Sequence, residues 1–419
     1  MRILIVSPTI PYPLSNGGNV AQFSMLNYLQ NRIDIDYCCV VWSTEQQERV
    51  DALKKEFPKI NFIVFNQIST ETKKTSSTFL HFYKRLILFL GAKTSKKTKN
   101  NSKSIDEFKK KHTAILHLKT EEYIQELQNL LAQDSWDIIQ TEFSEMIELI
   151  TLFPKKAKTI FVSHESKTLR MESAKRYSTV NDGYKDYLIQ LNKHIEVSFL
   201  NKYDTVIVFS DDDKMRLRDF GVENIKVSPF SIIINENATV VSNQYNKLIF
   251  LGGSNHYPNV QGLNWFIENI FPSIYEKYKI PLIIVGHWDE NLTSKYKEGA
   301  IKYVGFVENL ESIFKNAILI VPMRIGNGIR TKILLGLKMK VPILSTSLGF
   351  EGLNLIDFEN IFAADTAAEF IDKMHFIKNA EINQIDEVLE NGWRFFEENY
   401  NAELLGEIRL NIYKNLLNI

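Results

Sequence analysis

Residues 317–335 leave this chain few folds to choose from. An unbroken apolar run, Ala317–Val321, reads as a buried strand. A loop with glycines at 326 and 328 follows, and an apolar helix pattern begins around Arg330 and Lys332. Strand, glycine-bearing loop and helix make up the repeating unit of doubly wound sheets, whose ligand crevice lies at the strand's C-terminal end. Glycine lets the backbone approach a ligand closely. Backbone N–H groups, a helix N-terminus and fixed cations together suit a diphosphate. The plain alternative is an ordinary strand-to-helix turn with solvated basic side chains.

The same unit opens the chain. Strand Ile3–Val6 leads through a loop ending in Gly17 and Gly18 to a helix pattern from Asn19 to Leu29. The tight G-x-G-x-x-G spacing of a dinucleotide site is missing from both loops, which argues against a dehydrogenase. Further strands are expected at 37–42, 62–65, 137–141, 159–162 and 205–209. After a polar linker at 234–246 they resume at 248–251, 282–285, 302–306, 343–345 and 361–363, and the chain is helical beyond about 380. The 419 residues suffice for two full cores. The expected fold class is therefore α/β, with two similar domains facing across a cleft.

Charge and cysteine narrow the functions. Fifty basic residues balance fifty acidic ones, so no global field draws the molecule to nucleic acid, and any electrostatic role is local. Cys38 and Cys39 are adjacent in a strand-like run, which excludes a disulfide frame or a zinc cluster and fits a reduced, cytosolic compartment. The apolar run after Met1 is too short for a secretory signal. Asp34 and Asp36 precede a strand and read as a solvated strand edge. Asp211–Asp213 read as carboxylates at a helix start. Between 73 and 111, twelve Lys or Arg face two acids, beside an aromatic and aliphatic stripe that includes Phe82. Lys84, Arg85, Lys96 and Lys97 belong to this segment, which either docks on an anionic leaflet or packs on the core with solvated lysines.

Four pieces, in order along nearly the whole chain, resemble the family 4 glycosyltransferases, retaining enzymes of the GT-B fold. They are RILIVSP (Arg2–Pro8) with Gly17 and Gly18; DIIQTE (Asp137–Glu142) with FVSHE (Phe161–Glu165) and Arg170; LGGS (Leu251–Ser254) with Pro258 and Asn259; and PMRIGNGIRTKIL (Pro322–Leu334) with VPILST (Val341–Thr346) and GFEG (Gly349–Gly352). The resemblance implies GT-B domains at 1–230, on the acceptor side, and at 247–380, binding the nucleotide-sugar. Residues 381–419 would be helices returning toward the first domain.

The resemblance also implies roles. Arg330 and Lys332 would hold the donor diphosphate, with Gly17 and Gly18 supplying backbone donors and His164 close to the donor sugar. Gly253, Ser254, Arg324, Gly326, Asn327, Gly328 and Glu351 would complete the donor site. The activity implied is hexosyl transfer to a glycan or lipid-linked acceptor in cell-envelope polysaccharide assembly, at the inner face of the membrane, with neither metal nor cofactor. Donor, linkage and oligomeric state stay open. The alternatives are a partner protein that lost turnover, or an epimerase or hydrolase on the same fold. Two departures motivate the partner reading: where many members carry glutamates flanking the phosphate loop, this chain has Asn327 and Leu335. Lys340 also stands where the family commonly has glycine.

Overall fold

The computed structural model describes residues 1–68, 116–177, 181–233, 245–294, 299–307 and 310–419. The basic 73–111 segment, with Phe82, Lys84, Arg85, Lys96 and Lys97, lies outside them.

Two parallel sheets organise the chain. The first runs in the order β3-β2-β1-β4-β5-β6-β7. Its strands are β1 Arg2–Val6, β2 Asp34–Val41, β3 Ile60–Asn66, β4 Ile138–Glu142, β5 Lys158–Val162, β6 Thr205–Val208 and β7 Ile225–Val227. The second runs β10-β9-β8-β11-β12-β13. It comprises β8 Lys247–Leu251, β9 Leu282–Val285, β10 Ile301–Gly305, β11 Ala317–Val321, β12 Ile343–Ser345 and β13 Phe362–Ala363. The continuous apolar runs follow from burial on both sheet faces. Ile318, Leu319, Ile320 and Val321 of β11 are all fully buried. Every expected strand is present within a few residues, while β7 went unforeseen because its IKV core is too short to show a pattern.

Each sheet reverses its winding once, between β1 and β4 and between β8 and β11. Loops diverge at such switch points and leave a crevice. Loops from the two domains meet here: an added Cβ at Gly17 would lie 3.1 Å from Thr331 Oγ1, and one at Gly328 would lie 3.4 Å from the His164 carbonyl oxygen.

The last helix, Ala402–Leu417, packs against helix Gly17–Leu29 of the first domain. Tyr28 donates to Glu407 at 2.9 Å, and Arg409 Nε donates to Ser228 Oγ at 2.9 Å. The helix before it, Ile382–Asn399, lies on helix Thr331–Lys338 of the second domain.

One expectation needs correcting. Asp36 is not a solvated edge but is buried, at 3% exposure. It accepts from Arg2 Nε, Asn61 Nδ2 and Trp136 Nε1 at 2.8, 2.6 and 2.6 Å, so the buried carboxylate is hydrogen-bonded and ion-paired. The two cysteines are free and buried on opposite faces of β2. Ser210 caps helix Asp211–Phe220, whose first turn holds the three aspartates, as expected.

Candidate active site

On the first domain, β4 ends at Glu142 and the chain turns sharply at Phe143, whose φ of 67° is rare for a residue with a side chain. The Phe143 ring stacks on the His164 imidazole, centroids 3.8 Å apart. Gly18 is required beside it, because a Cβ there would stand 2.6 Å from the Phe143 ring. His164 follows β5, and its Nε2 lies 2.5 Å from Glu142 Oε2. Beyond it, Glu165 accepts from Arg170 Nη1 at 2.7 Å.

On the second domain, Gly326 and Gly328 have φ of 127° and 79°, which explains glycine at both positions of the expected phosphate loop. Arg330 sits at the N-cap of helix Thr331–Lys338, where no side chain caps the free N–H groups. It donates to the Gly328 carbonyl, while its Nη2 is buried without an acceptor among the described residues. Lys332, two residues on, donates from Nζ to Asn259 Oδ1 at 3.1 Å and lies over the Phe250 ring.

The loop is pinned across the cleft. Gly326 N–H donates to Ser173 Oγ at 2.9 Å. The Asn327 amide, turned to suit both groups, donates to Ser166 O and accepts from Ser166 N–H, each at 3.1 Å. Glu351 is paired with Arg216 of the first domain. Arg324 sits between the Tyr177 and Trp265 rings, with Nε 3.2 Å from Tyr177 Oη. Gly253 accepts from Asn259 at its carbonyl, and Ser254 Oγ accepts from the Asp289 N–H.

The cleft concentrates charge. Burial lowers the Arg330 guanidinium from its ordinary value, against the opposing charges of Glu351, Glu165 and Asp213. Burial, reinforced by Arg330, pushes the Lys332 ammonium down to about 7. His256 is also pushed down by burial, to about 4, despite the nearby Glu165. Burial works to raise the Glu165 carboxyl, but Arg170 and the other neighbouring cations outweigh it and hold it low. Asp213 is raised, chiefly by burial.

The structure thus brings Gly17, Gly18, His164, Gly326, Asn327, Gly328, Arg330, Lys332 and Glu351 to the meeting of the two domains. Arg324 is held by aromatic rings at the edge of this group. Arg170, Glu165, Asp213 and His256 also belong to it, although no role in the donor site was expected of them from sequence. Of these, Arg170 buries its Nε without an acceptor among the described residues, as Arg330 buries Nη2. One charged cleft therefore holds two cationic donors that no described residue uses. No spacing rule exposes such donors, since they come from separate domains. Lys340 has a φ of 49°, the conformation that favours glycine at its position, and is anchored by Glu390 at 2.7 Å and the Trp393 ring.

Two parallel sheets meeting at their switch points around a cationic loop define the GT-B class. Sucrose-phosphate synthase from Thermosynechococcus elongatus has this fold, with a TM-score of 0.69 at 12% identity and full coverage of both chains. Anabaena HepE in complex with UDP and glucose superposes at 0.61 with 10% identity, covering 100% of this chain and 99% of that one. An S. aureus TarM variant in complex with Fondaparinux, alpha-GlcNAc-glycerol and UDP gives 0.63 at 12% identity, covering 98% and 99%. Residues 245–378, the C-terminal domain, match the family Glycosyl transferases group 1. An uncharacterized 44.6 kDa protein in the cps region of Klebsiella pneumoniae is 27% identical over 169 residues. That match spans 38% of this chain and 43% of the relative, less than half of either. Among the described residues, no helix is long and apolar enough to cross a membrane.

Proposed function

We propose that this chain is a retaining glycosyltransferase of family 4 type, moving a hexosyl group from a nucleoside-diphosphate donor to a glycan or lipid-linked acceptor. The observation that carries the proposal is the pairing of Arg330 and Lys332 at an uncapped helix N-terminus, opposite the first domain's glycine loop. Breaking a sugar–phosphate bond leaves charge on the departing diphosphate, and fixed donors aimed at that charge lower the barrier. The donor then lies mainly on the second domain and the acceptor on the first, with closure excluding water. The cations do the work a metal does elsewhere, so turnover should survive chelation by EDTA.

The ligands of the HepE and TarM structures support a UDP-type donor. The cps-region relative supports a role in polysaccharide assembly, which we infer takes place at the cytoplasmic face of the membrane. The cationic 73–111 sequence favours a lipid-linked acceptor over a free glycan.

The test is a donor screen read by mass spectrometry, with lipid-linked and free acceptors side by side. Arg330→Ala with Lys332→Ala should cut turnover by at least about a hundredfold, the scale of losing transition-state donors, in a variant that circular dichroism shows to be still folded. Full activity in that double variant would remove the site from the proposal. Leu335 and the Asn327 clamp favour a second reading, a partner protein that kept the fold without turnover. Calorimetry against a panel of nucleoside diphosphates separates the two, since complete absence of binding selects the partner.

A further inference from the structure

His164 does not stand alone. Its Nε2 lies 2.5 Å from Glu142 Oε2, and the two side chains are only 8% and 5% exposed. The other carboxylate oxygen, Oε1, accepts from Gln140 Nε2 at 2.5 Å. Gln140 Oε1 in turn accepts from Tyr413 Oη at 2.6 Å. Tyr413 is fully buried and lies on the last helix, 273 residues away in sequence. A four-membered buried chain therefore runs from the end of the polypeptide to the imidazole at the cleft. Each bond has a fixed direction: a phenol donates to an amide oxygen, and the amide nitrogen donates to a carboxylate. An ionised carboxylate can only accept, so the proton between Glu142 and His164 belongs on Nε2. Nδ1 is then the basic nitrogen, and it takes no hydrogen bond from any described residue. The stacked Phe143 ring on one side and the Phe209 edge at 5.1 Å fix the plane of the ring.

We propose that Glu142 is a positioning residue, holding His164 as its Nε2–H tautomer so that Nδ1 accepts a hydrogen bond from a sugar hydroxyl. Tyr413, through Gln140, holds Glu142 in that orientation. The last helix is thereby part of the site's machinery and not only a strap across the first domain. The proposal rests on the glycosyltransferase reading for the identity of the hydroxyl, but not for the tautomer.

Nitrogen NMR of protein labelled at histidine reads the tautomer directly and needs no substrate. The wild-type His164 should show a protonated Nε2 and a bare Nδ1 at about pH 8. Glu142→Gln meets the Gln140 amide N–H with its oxygen and turns its NH2 to His164, so it should shift the ring proton to Nδ1. Glu142→Leu can neither donate nor accept, and should give a mixture of tautomers. In transfer assays Glu142→Leu should lose kcat by about tenfold or more, with donor KM little changed, and Glu142→Gln should lose at least as much because its Nδ1 is protonated. Tyr413→Phe should lose a few-fold and broaden the His164 signals. A wild-type imidazole protonated on Nδ1 overturns the proposal, as does a folded Glu142→Leu variant with unchanged tautomer and kcat. If no donor is turned over at all, the enzyme reading fails while the NMR result still decides the tautomer.

Discussion

Lys332 is the residue whose charge state is most open to the surroundings. With its amine pushed down to about 7 from an ordinary 10.5, the unfolded chain binds more protons than the folded one between those values. This group's contribution to stability therefore rises with pH through that window and is least favourable below it. A diphosphate placed against the amine reverses the preference, because an adjacent anion favours the charged form. Binding at about pH 8 should then take up a proton, and affinity should strengthen as pH falls toward 7. Calorimetry in two buffers of different ionisation enthalpy checks this: the apparent heats should differ for the wild type. They should converge for Lys332→Arg, which stays charged throughout and leaves the nearby His256 in place. Equal heats in the wild type would place Lys332 outside the anion's reach.

The loop at 322–330, proposed to hold the phosphates, illustrates how an element acquires a state that its own sequence does not encode. Gly326 is tied to Ser173 and Asn327 to Ser166, so three hydrogen bonds join the loop to the first domain. Each is worth about 1 kcal/mol net. Asn327→Gly removes two of them and Ser173→Ala the third. The combined variant should expose the cleft, seen as a larger radius of gyration by X-ray scattering in the absence of nucleotide, with saturating nucleoside diphosphate restoring compactness. An unchanged radius would mean that closure rests on other contacts, such as Arg216 with Glu351. The loop's existence, its glycines and its cations were legible from residues 317–335 because apolar runs and glycines are local signals. Its docking partners were not, since Ser166 and Ser173 look like any serines at the two ends of a helix. Asp36 was misread for the same reason: alternation along β2 says nothing of Arg2 and Trp136 arriving from elsewhere. His164 was legible as a cleft residue, but Tyr413, which supports it through Gln140 and Glu142, was not.

At the scale of the whole molecule, the chain's last two helices decide how the domains behave together. Helix Ile382–Asn399 is seated on the second domain and helix Ala402–Leu417 on the first, so the short turn between them links the two domains. The seat on the first domain is close. A Cβ at Gly406 would stand 2.2 Å from the Tyr28 ring, which is itself fixed by its bond to Glu407. Gly406→Leu cannot be accommodated without moving the helix, and overpacking of this kind costs about 1–3 kcal/mol. That cost falls on the contact between the last helix and the first domain, while the second domain keeps its own sheet and the 382–399 helix. One cooperative melting transition should consequently split into two in scanning calorimetry, the first domain unfolding earlier. The displaced helix also withdraws Tyr413 from Gln140, so turnover should fall further than Tyr413→Phe alone makes it fall. A single unshifted transition in Gly406→Leu would show that the last helix neither couples the domains nor carries the support of His164.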